Sequence, residues 1–222
     1  SKYVIPTTWF GNGFSFNYKL MDGLKLRVAM LEDLNGEGIG AGFRSARGKG
    51  YKTTAYDWTK NFSAEYTGLP GLRFGGSYTM NDAPINSDPD TTSNLTLIEI
   101  HAKYVANDIY AVFEYGNINY DGTNHTPSYQ SSGGYYLDLG YNIASLLNLK
   151  GKLMPWFRYS DYNRGTNDDG VVPSKHYTIS RFGLTFWPVN EVAFKIDFGT
   201  KATEDANVDD ITQLNIGVGY NF

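Results

Sequence analysis

Residues 211–222 read ITQLNIGVGYNF, and the fold turns on how they are read. Leu214, Ile216, Val218, Tyr220 and Phe222 share one parity, while Gln213, Asn215, Gly217, Gly219 and Asn221 share the other. A repeat of two residues is that of a β-strand with one apolar face and one polar or empty face. One such strand is ordinary. If the whole chain is built this way, the fold depends on which side the water lies.

The pattern recurs along the chain. FSFNYKL sets Phe14, Phe16, Tyr18 and Leu20 against Ser15, Asn17 and Lys19. LKLRVAM sets Leu24, Leu26, Val28 and Met30 against Lys25, Arg27 and Ala29. LRFGGSYTM, YYLDLGYNI, RFGLTF and VAFKIDFG continue it. The alternation predicts eleven strands, at roughly 13–20, 24–31, 57–66, 72–80, 95–105, 109–118, 134–143, 153–162, 177–187, 192–200 and 211–222. Their connections alternate too. Those at 21–23, 69–71, 106–108, 144–151 and 188–191 are mostly tight, and those at 32–56, 81–93, 120–133, 163–176 and 201–210 are long and polar. Short turns at one end and long loops at the other are typical of a transmembrane β-barrel.

A soluble β-sandwich also alternates, but its apolar face points inward and its outer face carries dense charge. Here the apolar face is large and aromatic on nearly every strand, and the opposite face is small or hydrogen-bonding with scattered charge. Such residues would overfill a small barrel yet suit a lipid-facing belt. The expected fold is therefore all-β, an antiparallel up-and-down transmembrane β-barrel over 1–222. Phe182, Leu184, Phe194, Ile196, Leu214, Ile216 and Val218 are expected to face lipid, with Arg181, Lys195, Gln213 and Asn215 inside. Aromatic rings settle at membrane–water interfaces, so Tyr66, Trp187 and Phe222 are expected near the short turns and Trp58, Tyr78 and Tyr162 towards the long loops. In lipid no backbone N–H can go unpaired, so the last strand must alternate to its end in order to seal the wall.

Composition narrows the functional classes. The net charge of −4 offers no basic footprint for nucleic acid, the absence of cysteine rules out disulfides and thiolate metal sites, and 16% of the residues are aromatic. No run of eighteen apolar residues forms a transmembrane helix.

Several segments resemble a known group. VIPTTWFGNGFSFNY, GAGFRSARGKG, GGYYLDLGYNIASLL with LMPWFRYSDYN, and FGLTFWPVNEVAFKIDF with LNIGVGYNF resemble stretches of the C-terminal part of phosphate-selective-type porins of the Gram-negative outer membrane. The C-terminal aromatic, Phe222, also resembles the terminal assembly signal of outer-membrane proteins. The resemblance implies an outer-membrane location, contact with the lipid bilayer and lipopolysaccharide, a homo-oligomer as one option, and a longer parent chain. Strand parity points the same way, because single-chain bacterial barrels have an even strand number. Either Ser1–Trp9 is a twelfth strand despite Pro6, or N-terminal strands of a barrel of about sixteen precede this stretch. The second option is favoured, since Pro6 interrupts a ladder.

A pore carries its chemistry on inward-facing ionisable residues. The parity assigns Lys19, Lys25, Arg27, Arg73, Lys103, Arg158, Arg181 and Lys195 to the lumen, against Glu65, Glu99, Glu114, Asp138 and Asp197. Rings of Arg and Lys favour anions, whereas opposed charges on neighbouring strands can instead pair and merely keep the wall wet. Arg44, Arg47, Lys49 and Lys52 cluster in the longest loop, a candidate constriction if it folds inward and a solvated run if it does not. The expected function is passive diffusion of small hydrophilic solutes or ions, with a mild anion preference. The alternative is a barrel that serves as an adhesion or partner-binding platform or as a subunit of a complex, and an outer-membrane hydrolase is the less favoured third reading. Catalysis is not expected: His101, His125 and His176 are matched by no nucleophile motif such as GxSxG. No cofactor or metal is expected, for want of clustered His or Cys.

Overall fold

The computed structural model describes residues 4–5, 10–39, 44–51, 54–124 and 126–221. Twelve strands form one sheet: β1 (Gly13–Met21), β2 (Leu24–Leu31), β3 (Thr59–Leu69), β4 (Leu72–Ile85), β5 (Asp88–Ala106), β6 (Ile109–Thr123), β7 (Ser131–Tyr141), β8 (Lys152–Asn167), β9 (Gly170–Val171), β10 (His176–Val189), β11 (Val192–Thr203) and β12 (Ile211–Tyr220). Each long strand pairs antiparallel with the next, and two-residue β9 hangs off β8. The eleven long strands are those the alternation predicts, and no α-helix occurs among the described residues. The sheet is open. Its path runs from β1 to β12 without joining them.

Registers set several of the charged positions side by side. Arg73 lies opposite Lys103, Asp138 opposite Arg158, and Arg158 opposite Arg181, so these side chains share one face. The other face is apolar and open: Phe182 is 62% exposed, Phe198 53% and Ile100 51%. Such exposure is the reverse of a soluble sheet, and it matches a surface whose solvent is hydrocarbon. Tight turns join the strands at one end, where Asn107 and Asp108 both take positive φ, as type I′ hairpins require.

The other end departs from expectation in an informative way. The stretch 81–93, expected as a long loop, is mostly ladder. It closes on a second hairpin turn at Asn86 and Ser87, both again with positive φ. β6, β8 and β10 also run further than their apolar alternation. The reason lies in the two faces. Beyond Tyr78, Tyr115, Tyr135 and Tyr159 the outer face turns polar (Asp82, Asn117, Asn119, Asp161, Asn163), while the concave face becomes dry. There Ala83, Leu95, Leu97, Ile118, Tyr120 and Tyr162 form a buried cluster. Tyr162, expected in an outer girdle, belongs to this core and stacks on Tyr177 at 5.4 Å.

Val4 and Ile5 form part of a turn and bend rather than a strand. Val4 joins the buried cluster and Ile5 packs against it; a Cβ on Gly116 would come within 2.3 Å of Ile5 Cδ1. At its two described residues, therefore, Ser1–Trp9 lies against the concave wall and does not extend the sheet. Phe222 falls outside the described residues.

Candidate functional site

The concave face near the short turns carries the ionisable residues assigned to a lumen. Like charges stand directly opposite each other in three places, Lys19 with Lys25, Arg73 with Lys103 and Arg158 with Arg181. Such pairs repel unless something lies between or beside them. Carboxylates do that here. Arg158 forks onto Asp138 through Nε and Nη2. Arg181 Nη1 donates to Asp197 Oδ1 at 2.9 Å and Nη2 to Gln213 Oε1 at 2.7 Å. Lys195 Nζ lies 3.3 Å from Asp197 Oδ2, and Asn215 Nδ2 donates to Oδ1 at 2.9 Å. Arg73 forks onto Glu65.

These pairs are lopsided. The Asp138 and Asp197 side chains are 8% and 4% exposed, whereas Arg158 is 47% and Lys195 49%. The acids are sunk into the wall and the cations stand proud of it. The outermost layer of this surface is therefore positive. Lys25, Arg27 and Lys103 add to that layer, since none has an ion pair among the described residues, while Lys19 pairs with Asp22 of the adjoining turn at 2.5 Å. Glu99 binds His101, with Nδ1 and Oε1 2.6 Å apart, and Glu114 lies opposite Tyr136. His176 lies on the outer face, held between Asp161 and Glu204 at 2.7 Å each. His125 lies outside the described residues.

A cavity of about 480 Å³ opens over this wall, lined by Ile5, Glu114, Trp156, Arg158, Arg181 and Lys195 among others. The sequence reading did not single out Trp156. Its ring lies flat along the wall because Gly183, on the neighbouring strand, has no side chain. A Cβ at Gly183 would come within 2.2 Å of Trp156 Cζ2. The indole donates to Thr185 Oγ1 at 3.0 Å, and Lys195 Nζ sits 4.5 Å from the ring centroid, a cation–π distance. The legible signal was a tryptophan on the inward parity whose register partner is glycine.

The described residues of the loop at 32–58, namely 32–39, 44–51 and 54–58, cover the far end of the same face. Leu34, Ile39 and Ala46 are buried in the cluster with Ala83, Leu95, Leu97, Ile118 and Tyr120 of the strands. A short 3-10 turn, Gly36–Gly38, presses so closely on β4 that a Cβ at Gly36 would meet Ala83 O at 2.4 Å. Arg44 and Lys49 stay exposed around the buried Ala46, and Arg47 Nε donates to Arg44 O at 2.8 Å. Lys52 lies outside the described residues.

OmpF from Salmonella typhi, solved in complex with daunomycin, superposes with a TM-score of 0.63 at 15% identity, covering 94% of this chain and 61% of that one. The fold is that of an outer-membrane porin. The outer-membrane channel DcaP of Acinetobacter baumannii shares this porin fold, with a TM-score of 0.54 and 12% identity over 94% of this chain and 61% of that one. The chain thus spans about three fifths of the length of either porin-fold neighbour. No family model matches it, and no curated protein matches it in sequence.

Proposed function

We propose that this chain is wall of an outer-membrane porin through which small hydrophilic solutes and ions diffuse passively, with a mild preference for anions. The observation that carries the reading is the lopsided pairing on the concave face, with Asp138 and Asp197 buried beneath exposed Arg158 and Lys195. A passing solute meets the cations first, and positive rings in pores favour anions. The resemblance to phosphate-selective porins agrees with that sign. The inward loop at 32–58 narrows the passage, bringing Arg44, Arg47 and Lys49 to its mouth. In lipid the open edges at β1 and β12 cannot keep unpaired N–H and C=O groups, so further strands of a longer parent close the barrel. The outer face contacts phospholipid around its apolar band and lipopolysaccharide at its polar rim.

The test is reconstitution of the full native polypeptide in a planar bilayer under a salt gradient. The expected result is steady open-channel current with a reversal potential of mild anion preference. Lys103→Glu should reduce that preference, because Lys103 holds no carboxylate in place and its loss strands no acid. A silent bilayer would overturn the porin reading and favour a barrel that acts as a partner-binding platform.

A further inference from the structure

One buried side chain joins the two feet of the loop at 32–58 to each other and to the wall. Asp33 is 1% exposed, yet its carboxylate accepts from five donors. Oδ2 takes Thr54 Oγ1 at 3.0 Å and the Tyr56 N–H at 2.6 Å. Oδ1 takes the N–H groups of Asp57 at 3.3 Å and Trp58 at 2.8 Å, together with Asn81 Nδ2 at 3.0 Å. Asn81 stands on the concave face of β4, and its Oδ1 accepts the Leu34 N–H at 2.8 Å. The Asp33 carboxylate therefore ties the outgoing foot of the loop to the returning foot and, through Asn81, to the wall. Buried carboxylates survive only when paired or fully hydrogen-bonded, and bonds to an ionised acceptor are the strong ones.

Two features show that the loop's path is imposed rather than intrinsic. Trp58 sits at φ 65, a left-handed conformation rare for a bulky residue, and its N–H is one of those the carboxylate holds. Neighbouring Asp57 is drawn in as well: its Oδ2 accepts the Asp82 N–H at 3.0 Å and Oδ1 pairs with Lys60 at 2.8 Å. These links run from the loop to β3 and β4, and the Asp33 bond to Asn81 also reaches β4.

We infer that Asp33 is the positioning residue that pins the loop at 32–58 onto the concave wall and thereby sets the free cross-section of the channel. The statement about cross-section rests on the porin reading, whereas the pinning itself does not. Without the carboxylate, the Tyr56 and Trp58 N–H groups lose their acceptor and Asn81 Nδ2 keeps only a long contact to Asp57 Oδ2 at 3.5 Å, a cost relieved if the loop swings out to water. Leu34, Ile39 and Ala46 then leave the wall with it.

Two measurements separate the parts. Ala46, fully buried, becomes a reporter as Ala46→Cys in the full polypeptide folded in detergent. An aqueous maleimide should label it slowly with Asp33 present and at least about tenfold faster with Asp33→Ala, as expected when a local opening becomes favourable. In the planar bilayer, Asp33→Ala should raise single-channel conductance by about 1.5- to 2-fold and admit larger neutral sugars, since the pore's lining sets its bore. Asp33→Asn, which keeps the shape and one acceptor oxygen, should fall between the two. The temperature at which the barrel loses its folded mobility on a denaturing gel should stay unchanged, because the strand ladders are untouched. Equal labelling rates with and without Asp33 would overturn the pinning. Faster labelling with wild-type conductance would overturn the link to pore size, and no conductance in the unmutated protein would instead remove the porin reading while the labelling result stood.

Discussion

The half of the sheet beside the short turns and the half beside the loops are built inside out relative to each other. Near the turns, β6 shows Ile109 and Phe113 to the outside and Glu114 to the concave face. Near the loops the same strand shows Asn117 and Asn119 outside and buries Ile118 and Tyr120 within. β10 makes the same exchange, from outward Phe182 and inward Arg181 to outward Thr178 and inward Ile179. The pleat never changes; the solvent does. Where hydrocarbon surrounds the wall, the dry side faces out. Above the lipid the outside is wet, and the chain must make a core of its own beneath the inward loop.

That contrast can be broken most severely from within. Ile118→Ala, at a fully buried position in the loop-side half, should cost roughly 2–5 kcal/mol in urea unfolding from phospholipid vesicles. Val112→Ala, on the same face of the same strand but in the turn-side half, should cost clearly less, and an equal loss would mean that both halves share one core. The next effect tests the outer face. Ile196→Arg should destabilise by roughly 2–4 kcal/mol in the same assay, the usual penalty for a midplane cation. Thr178→Arg, also outward but beyond the apolar band, should stay within about 0.5 kcal/mol, as surface substitutions do. Similar penalties at both sites would extend the lipid belt to the loops.

The smallest effect concerns pH at the polar rim. Burial alone would lower the His176 pKa from 6.5, but its hydrogen bonds to Asp161 and Glu204 and their charges outweigh that and raise it. A raised histidine stabilises the folded state fully below its unfolded value and loses that contribution as pH climbs through the raised one. Amide exchange at Thr203 and Glu204 should therefore quicken beyond the intrinsic base-catalysed rise as pH increases above 6.5. His176→Gln should abolish the extra dependence; if it persists in the variant, the histidine is not its source.

The same inside-out build explains what the sequence could tell. Alternation located every long strand because Phe182, Ile196, Ile216 and their counterparts keep one parity while lipid is outside. It lost β4 at Met80 and began β5 only at Leu95, because the apolar parity fades or reverses there while the hydrogen-bonded ladder continues. The adjacent pair Leu97–Ile98, one inward and one outward, marks the exchange. Parity put Asp138 and Arg158 on one face, as their register does. It could not give depth, since Asp138 and Arg158 look equivalent in a sequence but differ several-fold in exposure. The Asp33 clasp was invisible for another reason: its donors lie 21 to 48 residues away and are mostly backbone groups, which carry no residue signature.

The buried acids beneath the exposed cations also constrain how such a wall can change over generations. Arg158→Glu alone would set a second carboxylate beside sunken Asp138 and remove the guanidinium that forks onto it. The reverse exchange fares no better, because a guanidinium does not fit where Asp138 sits. A route to a neutral or cation-favouring wall must alter both members of the pair in one lineage before either change is tolerated. Among proteins descended from the same ancestor, Asp138 and Arg158 should therefore be kept together or lost together, as should Asp197 with Arg181 and Lys195. The sign of the passage is then a heritable state guarded by its own intermediates.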